Sequence, residues 1–174
     1  MRLYTIQKEA VAERLLLQGM VHPNDDIMEG YELAYDWMAS KMADRIGEKR
    51  RNSKYPFWAF TELSSFAIAK EGLNQYLLVL EVPDSEVMLT DFCRWHEVLN
   101  AGSWALYKNE KLKHKKSWDG IIRKRNKKGA QACFWYISEE MMIKGVEVRK
   151  LDLEYDRTIK VWTIKGFKNE LKLK

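Results

Sequence analysis

The sequence predicts an α+β fold in a single domain, with N-terminal helices packed on a mixed or antiparallel sheet. Three observations carry this. Apolar residues recur at three- and four-residue steps over residues 27–46. The clearest strand patterns lie at 75–82 and beyond. Helices crowd the first half and strands the second, which departs from the alternation of a doubly wound βαβ fold. No repeat or low-complexity linker divides the chain. Residues 1–150 read as the main body, and 151–174 as C-terminal strands with a lysine-rich end that extend the same domain.

Taken in order, residues 3–6 form an opening strand and residues 8–18 a helix. Val11 with Leu15, and Ala12 with Leu16, give that helix one broad apolar face. Gly19 ends it, because glycine enters the left-handed region without penalty. His22-Pro23-Asn24-Asp25 is a turn that supplies the next helix with its N-cap. Ile27, Tyr31, Ala34, Tyr35, Met38, Met42 and Ile46 then mark a helix of about five turns, ended by Gly47. Residues 48–54 are a basic loop. Residues 55–60 are extended, with Pro56 at the strand start or on a sheet edge. A short helix is expected over 62–71, ending at Gly72. The apolar run at 75–82 predicts a central strand covered on both faces. After Pro83 the chain extends again over 86–89, and Thr90 or Asp91 caps a helix reaching about Leu99. Helical pieces broken by Gly120 and Gly129 fill 104–128. Strands follow at 131–137, 144–151 and 158–165, and the end from Lys165 is expected to fray.

Composition excludes several classes. The chain has 174 residues, 46% hydrophobic and 12% aromatic, enough for a packed core and too apolar for bulk disorder. Cys93 and Cys133 match neither a disulfide framework nor a zinc cluster, and they suit a reducing compartment. A mean hydropathy of −0.48 and the absence of a long apolar run exclude a membrane span. Lys8 and Glu9 interrupt any signal-peptide core, so a cytoplasmic protein is expected. With three histidines, a His-rich metal site would need nearly all of them, and no metal is expected. Phosphate-binding glycine loops, the nucleophile elbow and the zinc-protease helix motif are missing.

Charge is segregated. Residues 108–128 hold ten Lys/Arg against two acids, a net of +8, which leaves −3 on the rest of a chain whose total is +5. Lys113, Lys115, Lys116, Arg123, Lys124 and Arg125 are candidate phosphate contacts, and Tyr107 and Trp118 are placed to stack bases. A nucleic acid or an acidic protein is the partner class this charge suits; a solvated surface loop is the plain alternative. His96, within Asp91-Phe-Cys-Arg-Trp-His-Glu-Val-Leu-Asn100, shares a helix face with Phe92 and Asn100. It reads either as a proton carrier near neutral pH or as a structural hydrogen-bonding group.

Several segments resemble the bacterial domain of unknown function 3841 family. They are Leu3-Tyr-Thr-Ile-Gln7 followed by a helix and Gly19, Ala34-Tyr-Asp-Trp-Met38, and Tyr55-Pro-Phe-Trp-Ala59. Asp91-Phe-x-x-Trp-His-x-Val-Leu-Asn100, Ser117-Trp118 and Gln131-Ala-x-Phe-Trp135 complete the set. The resemblance spans about residues 1–150 and brings no established activity with it.

A second, more distant resemblance is to ADP-ribosyltransferase-like domains, which open with a strand bearing a polar NAD-contacting residue, then a helix ending in glycine. Leu3-Tyr-Thr5 and Leu15-Leu-Leu-Gln-Gly19 are similar. Those domains use a later strand whose Gln-x-Glu or Glu-x-Glu pattern holds the ribose and stabilises an oxocarbenium-like transition state. Here Gln131-Ala-Cys133 occupies such a strand, with Gln131 and Cys133 on one face. Cys133 stands where the carboxylate is expected, and Glu139 or Glu140 would have to supply it from the adjoining loop. The resemblance thus implies NAD as cofactor, with Thr5, Gln131 and Glu139 in catalytic roles, and His96, read above as a proton carrier, is the fourth catalytic candidate. Tyr4, Tyr31, Tyr35 and Trp58 would bind the cofactor. It implies modification of a protein or nucleic acid. A core reading of Thr5, Gln131 and Cys133 stands beside it. The alternative function is a non-catalytic nucleic-acid or protein-binding module using 108–128.

Overall fold

The computed structural model describes residues 1–23, 29–47, 53, 55–62, 75–107, 118–123, 130–143, 149–157 and 161–170, and over 101–107, 123, 149–156 and 161–170 the backbone alone. In chain order the elements are β1 (Arg2–Lys8), α1 (Glu9–Gln18), β2 (Met20–Val21), α2 (Glu32–Ile46), β3 (Phe57–Phe60), β4 (Gln75–Glu81), β5 (Met88–Asp91), α3 (Phe92–Tyr107), β6 (Ile122–Arg123), β7 (Ala130–Phe134), β8 (Ile137–Ser138), β9 (Arg149–Asp156) and β10 (Val161–Glu170). Short 3-10 turns occupy Asp84–Glu86, Asp119–Ile121 and Glu139–Met141. This is an α+β chain, and it resolves into two compact units. The first comprises Met1–Val21, Ala59–Val82 and Ile137–Lys174; the second comprises His22–Trp58 and Pro83–Tyr136.

The first unit is built on one long antiparallel ladder. β1 pairs β4 from Arg2↔Glu81 to Lys8↔Gln75, and Tyr4 pairs Phe60 on its other side. β4 pairs β9 at Tyr76↔Lys150 and Leu77↔Arg149, and β9 pairs β10 in a hairpin. The run at 75–82 is therefore an inner strand, as its apolar character predicts. Leu3, Leu15, Leu78 and Leu80 are fully buried. α1 follows β1 directly and buries Ala12 and Leu15, one turn apart on the same face. Gly19 closes it at φ 72°, donating its N–H to Leu15 O at 2.9 Å. β2 and β8 form a separate two-stranded ladder, Met20↔Ser138 and Val21↔Ile137.

The second unit packs two helices on a small sheet. β5 pairs β7 from Met88↔Cys133 to Asp91↔Ala130, and pairs β6 at Leu89↔Arg123 and Thr90↔Ile122. β3 lies on the other side of β7. α2 buries Ala34, Trp37, Met38 and Met42, the face its periodicity predicts. α3 starts where Asp91 Oδ1 accepts the Arg94 backbone N–H at 3.2 Å, an N-cap as the sequence implies.

Several expectations change. α2 begins at Glu32, after Gly30 at φ 94°, and its N-cap position is Tyr31; the expected start at Ile27 lies outside the described residues. α3 runs past Leu99 to Tyr107, since nothing in Asn100-Ala-Gly-Ser-Trp104 blocks the backbone ladder. The strand expected over 131–137 is two, β7 and β8, parted at Trp135 and Tyr136. Of the end expected to fray from Lys165, residues 165–170 belong to β10, which pairs with β9 through two register shifts, and 171–174 lie outside the described residues. The helix expected over 62–71 and most of 104–128 lie outside the described residues.

Candidate functional site

The second unit carries the richest chemistry, and strand pairing explains how it is assembled. Phe57 and Phe134 touch, with ring centroids 6.1 Å apart, so they share one face of the β3–β7 pair. Side chains alternate along a strand, so Trp58, Gln131 and Cys133 take the opposite face. Thr90, opposite Gln131 in the register, joins them there.

α2 and α3 pack over this face through an aromatic cluster. Trp58 stacks on Trp95 of α3 with centroids 5.1 Å apart and planes at 29°. Tyr35 of α2 stands edge-on to Tyr55 at 5.2 Å, to Trp95 at 5.4 Å and to Trp58 at 6.5 Å. Such pairs contribute roughly 0.5–1.5 kcal/mol each beyond their burial. Tyr55 and Trp95 are buried, whereas Tyr35 and Trp58 are half-buried and keep an edge toward solvent. Burial raises the Tyr35 phenol above its ordinary value of 10.0; the Trp58 indole N–H opposes this by favouring the phenolate, and Tyr31 adds to the rise.

Gln131 is 6% exposed, and its Oε1 has no hydrogen-bond partner among the described residues. Leaving a buried carbonyl oxygen unpaired costs about 1–3 kcal/mol. Its neighbour Thr90 is fully buried and donates its hydroxyl to the Gln131 backbone oxygen at 3.3 Å. Cys133 has no exposure, donates its S–H to Met88 O at 3.2 Å, and is driven upward by desolvation to a neutral thiol. It therefore supplies no negative charge.

The remaining candidates are distributed as follows. Tyr31 occupies the N-cap position of α2, one helical turn before Tyr35. His96 is exposed on α3; its Nδ1 lies 2.9 Å from Phe92 O, and its ring meets Phe92 edge-on at 4.5 Å. The shared Phe92–His96 face is real, and His96 is held by its own helix rather than by Asn100. Thr5, Tyr4 and Glu139 belong to the first unit. Thr5 is 1% exposed and accepts the Gln7 side-chain N–H at 2.7 Å. Glu139 and Glu140 are exposed on a 3-10 turn, where the Glu139 N–H donates to Gly19 O at 2.8 Å. Lys113, Lys115, Lys116, Lys124 and Arg125 lie outside the described residues, as does the Arg123 side chain. Trp118 is buried edge-on against Trp37 at 5.4 Å, so its ring is core surface rather than a platform for a base. No group of three or more His, Cys, Asp and Glu that could hold a metal occurs among the described residues. No helix among them is long and apolar enough to cross a membrane.

Sequence reasoning missed Tyr55, Trp95 and Thr90. A signal for Trp95 existed: with Val98 and Leu99 it makes an i, i+3, i+4 apolar face. It also missed a polar relay. His22 Nδ1 meets Ser53 Oγ at 2.7 Å, and Ser53 Oγ donates to Trp135 O at 2.8 Å. The single serine proton is committed to that carbonyl, so His22 Nδ1 must donate to Ser53. His22 thus cannot act as the base that activates Ser53, and the relay is a structural tie between distant segments.

No curated protein and no solved structure matches the chain. A family model does match residues 2–104, more than half of the sequence. That match runs from β1 into α3 and includes the strand and helices that carry Tyr35, Trp58 and Trp95. The chain belongs to the family described as domain of unknown function (DUF3841).

Proposed function

We propose that this chain is an NAD-binding domain of the ADP-ribosyltransferase-like kind, whose second unit receives the nicotinamide ring and retains the dinucleotide without transferring ADP-ribose. The observation that carries the reading is the buried Oε1 of Gln131, without a hydrogen-bond partner among the described residues, on the face of β7 that Trp58 of β3 shares. An amide left in that condition lowers stability, and a ligand N–H would satisfy it. The half-buried edges of Tyr35 and Trp58 offer a flat ring an entry between aromatic surfaces. Transfer would need fixed negative charge beside the developing ribosyl cation. Neutral, buried Cys133 cannot give it, which favours binding over turnover. Calorimetric titration of the chain with NAD tests this. A saturable heat in wild type, weakened at least about tenfold in Gln131→Met, is expected. Absence of heat at millimolar NAD overturns it.

The charge segregation supports a second reading, in which residues 108–128 bind the phosphodiester backbone of a nucleic acid or an acidic protein. On that reading, affinity for single-stranded DNA falls steeply as salt rises. A flat response to salt, or no binding in dilute buffer, removes it. The two readings are compatible, since a dinucleotide-binding domain can carry a basic arm.

A further inference from the structure

We infer that residues 108–128 hold a double-stranded nucleic acid by its phosphates, in preference to a single strand, through two cationic runs on either side of a fixed hub. The inference rests on the nucleic-acid reading of this segment and adds the form of the partner.

The hub is residues 118–121, held on α2 and α3 within the second unit. Trp118 is 5% exposed and meets Trp37 of α2 edge-on at 5.4 Å. Asp119 Oδ1 lies 2.9 Å from Lys41 Nζ of α2. Gly120 O accepts an N–H of Arg94 Nη1 from α3 at 3.3 Å. Ile121 is buried, and β6 then joins the sheet at its edge, beside β5. This hub divides the charge. Residues 108–116 hold five lysines against Glu110, and residues 123–128 hold five cations and no acid. Lys116 and Arg123 are seven residues apart, at most about 25 Å of extended chain, so both runs can reach one duplex. Asp119, the acid between them, is matched by Lys41, and exposed Arg94 brings a further cation to the hub.

A single strand is held by rings stacked on successive bases as well as by cations. Trp118 is the sole Trp, Tyr or Phe in 108–128, and its ring is buried against Trp37. Tyr107, the last residue of α3, adds one ring at most. What remains is charge. A duplex carries one phosphate charge per roughly 1.7 Å of axis, twice the density of either strand alone, and gains most from cations without rings. Eight of the ten cations are lysines, point charges that meet phosphate and lack the planar fork that reads guanine. Binding is therefore expected to ignore base sequence.

The test titrates the chain into short labelled DNA and RNA duplexes of unrelated sequence, and into their separate strands, read by fluorescence anisotropy over a salt series. Polyglutamate is the competing acidic probe. A duplex is expected to bind at least about tenfold more tightly than its separate strands, whatever its sequence, and the tighter of DNA and RNA names the source. Replacing Lys111, Lys113, Lys115 and Lys116 by Gln should make the fall of affinity with salt shallower. Replacing Lys124, Arg125, Lys127 and Lys128 by Gln should do the same. Single-strand affinity equal to or above the duplex overturns the inference and leaves the nucleic-acid reading standing. A salt dependence that either set of replacements leaves unchanged also overturns it, since only one run would then touch the partner. Polyglutamate binding as tight as the duplex overturns it in favour of an acidic protein. No binding of any nucleic acid in dilute buffer removes the reading and the inference together.

Discussion

In the first unit the core is aliphatic: Leu3, Leu15, Leu78 and Leu80 are fully buried along the β1–β4 ladder and under α1. Its buried threonine is served two residues away, by Gln7. In the second unit the core is aromatic; long polar ties occur in both units, since the Tyr76 hydroxyl of the first donates to Glu9 across 67 residues. Ser53 holds Trp135 across 82 residues, Trp135 Nε1 donates to Gly47 O across 88, and the Tyr136 hydroxyl donates to Glu86 across 50. The Oε1 of Gln131 has no hydrogen-bond partner among the described residues. Aliphatic ladders give stability and little else. A buried amide oxygen without a partner sacrifices stability at one position, which is the pattern expected where a ligand completes the structure.

The largest effects should separate the units by what else is lost. Trp95→Ala should cost about 3–5 kcal/mol and Leu78→Ala about 2–5 kcal/mol in denaturant unfolding. If the comparison holds, folded Leu78→Ala still responds to NAD, and folded Trp95→Ala does not. A response of Trp95→Ala equal to wild type would break it.

Ser53→Ala should cost about 1–3 kcal/mol, because it removes the donor to Trp135 O and leaves that carbonyl and the His22 ring without their relay. Urea midpoints check this, and a neutral outcome would show that the relay contributes little to the second unit.

Alkaline pH sharpens the contrast further. Burial raises the Tyr35 phenol above the unfolded value of 10.0, so the neutral phenol is favoured in the folded state. The associated stability is fully present below pH 10.0 and is lost as pH rises through the folded value. Thermal midpoints measured upward from pH 9 should fall more steeply in wild type than in Tyr35→Phe. Parallel curves would contradict the assignment.

The smallest effect belongs at the surface of the second unit. Lys41 Nζ and Asp119 Oδ1 are 2.9 Å apart, with the carboxylate half exposed. Asp119→Asn should change stability by less than about 1 kcal/mol, and by less still in high salt.

Much of the first unit was legible in the sequence. Continuous apolar character marked β4 as an inner strand, and Leu15 with Gly19 marked the body and end of α1, because those signals are local. The second unit was legible in its elements and less so in its joints. The period of α2 was plain over Ala34, Met38 and Met42, but its start was set by the backbone of Gly30, which periodicity does not register. Period two placed Gln131 and Cys133 on one face correctly, because that face follows from pairing with Met88 and Thr90. It failed at Trp135, where the chain leaves β7 and its carbonyl turns to Ser53. The cluster was half visible: Tyr35 and Trp58 stood out as candidates, whereas Tyr55 and Trp95 became neighbours through tertiary packing alone. Thr5 drew attention through a strand pattern and Glu139 through the loop beside the Gln131 strand, and neither signal carried information about which unit each would join.

The most direct test is the thermal midpoint of wild type and Gln131→Met, each with and without saturating NAD. Without ligand, Gln131→Met should be the more stable by about 1–3 kcal/mol, since it removes a buried carbonyl oxygen that has no partner among the described residues. With ligand, wild type should rise above it, so that the order reverses. An order that stays the same with and without NAD would contradict the claim that Gln131 is kept for a ligand.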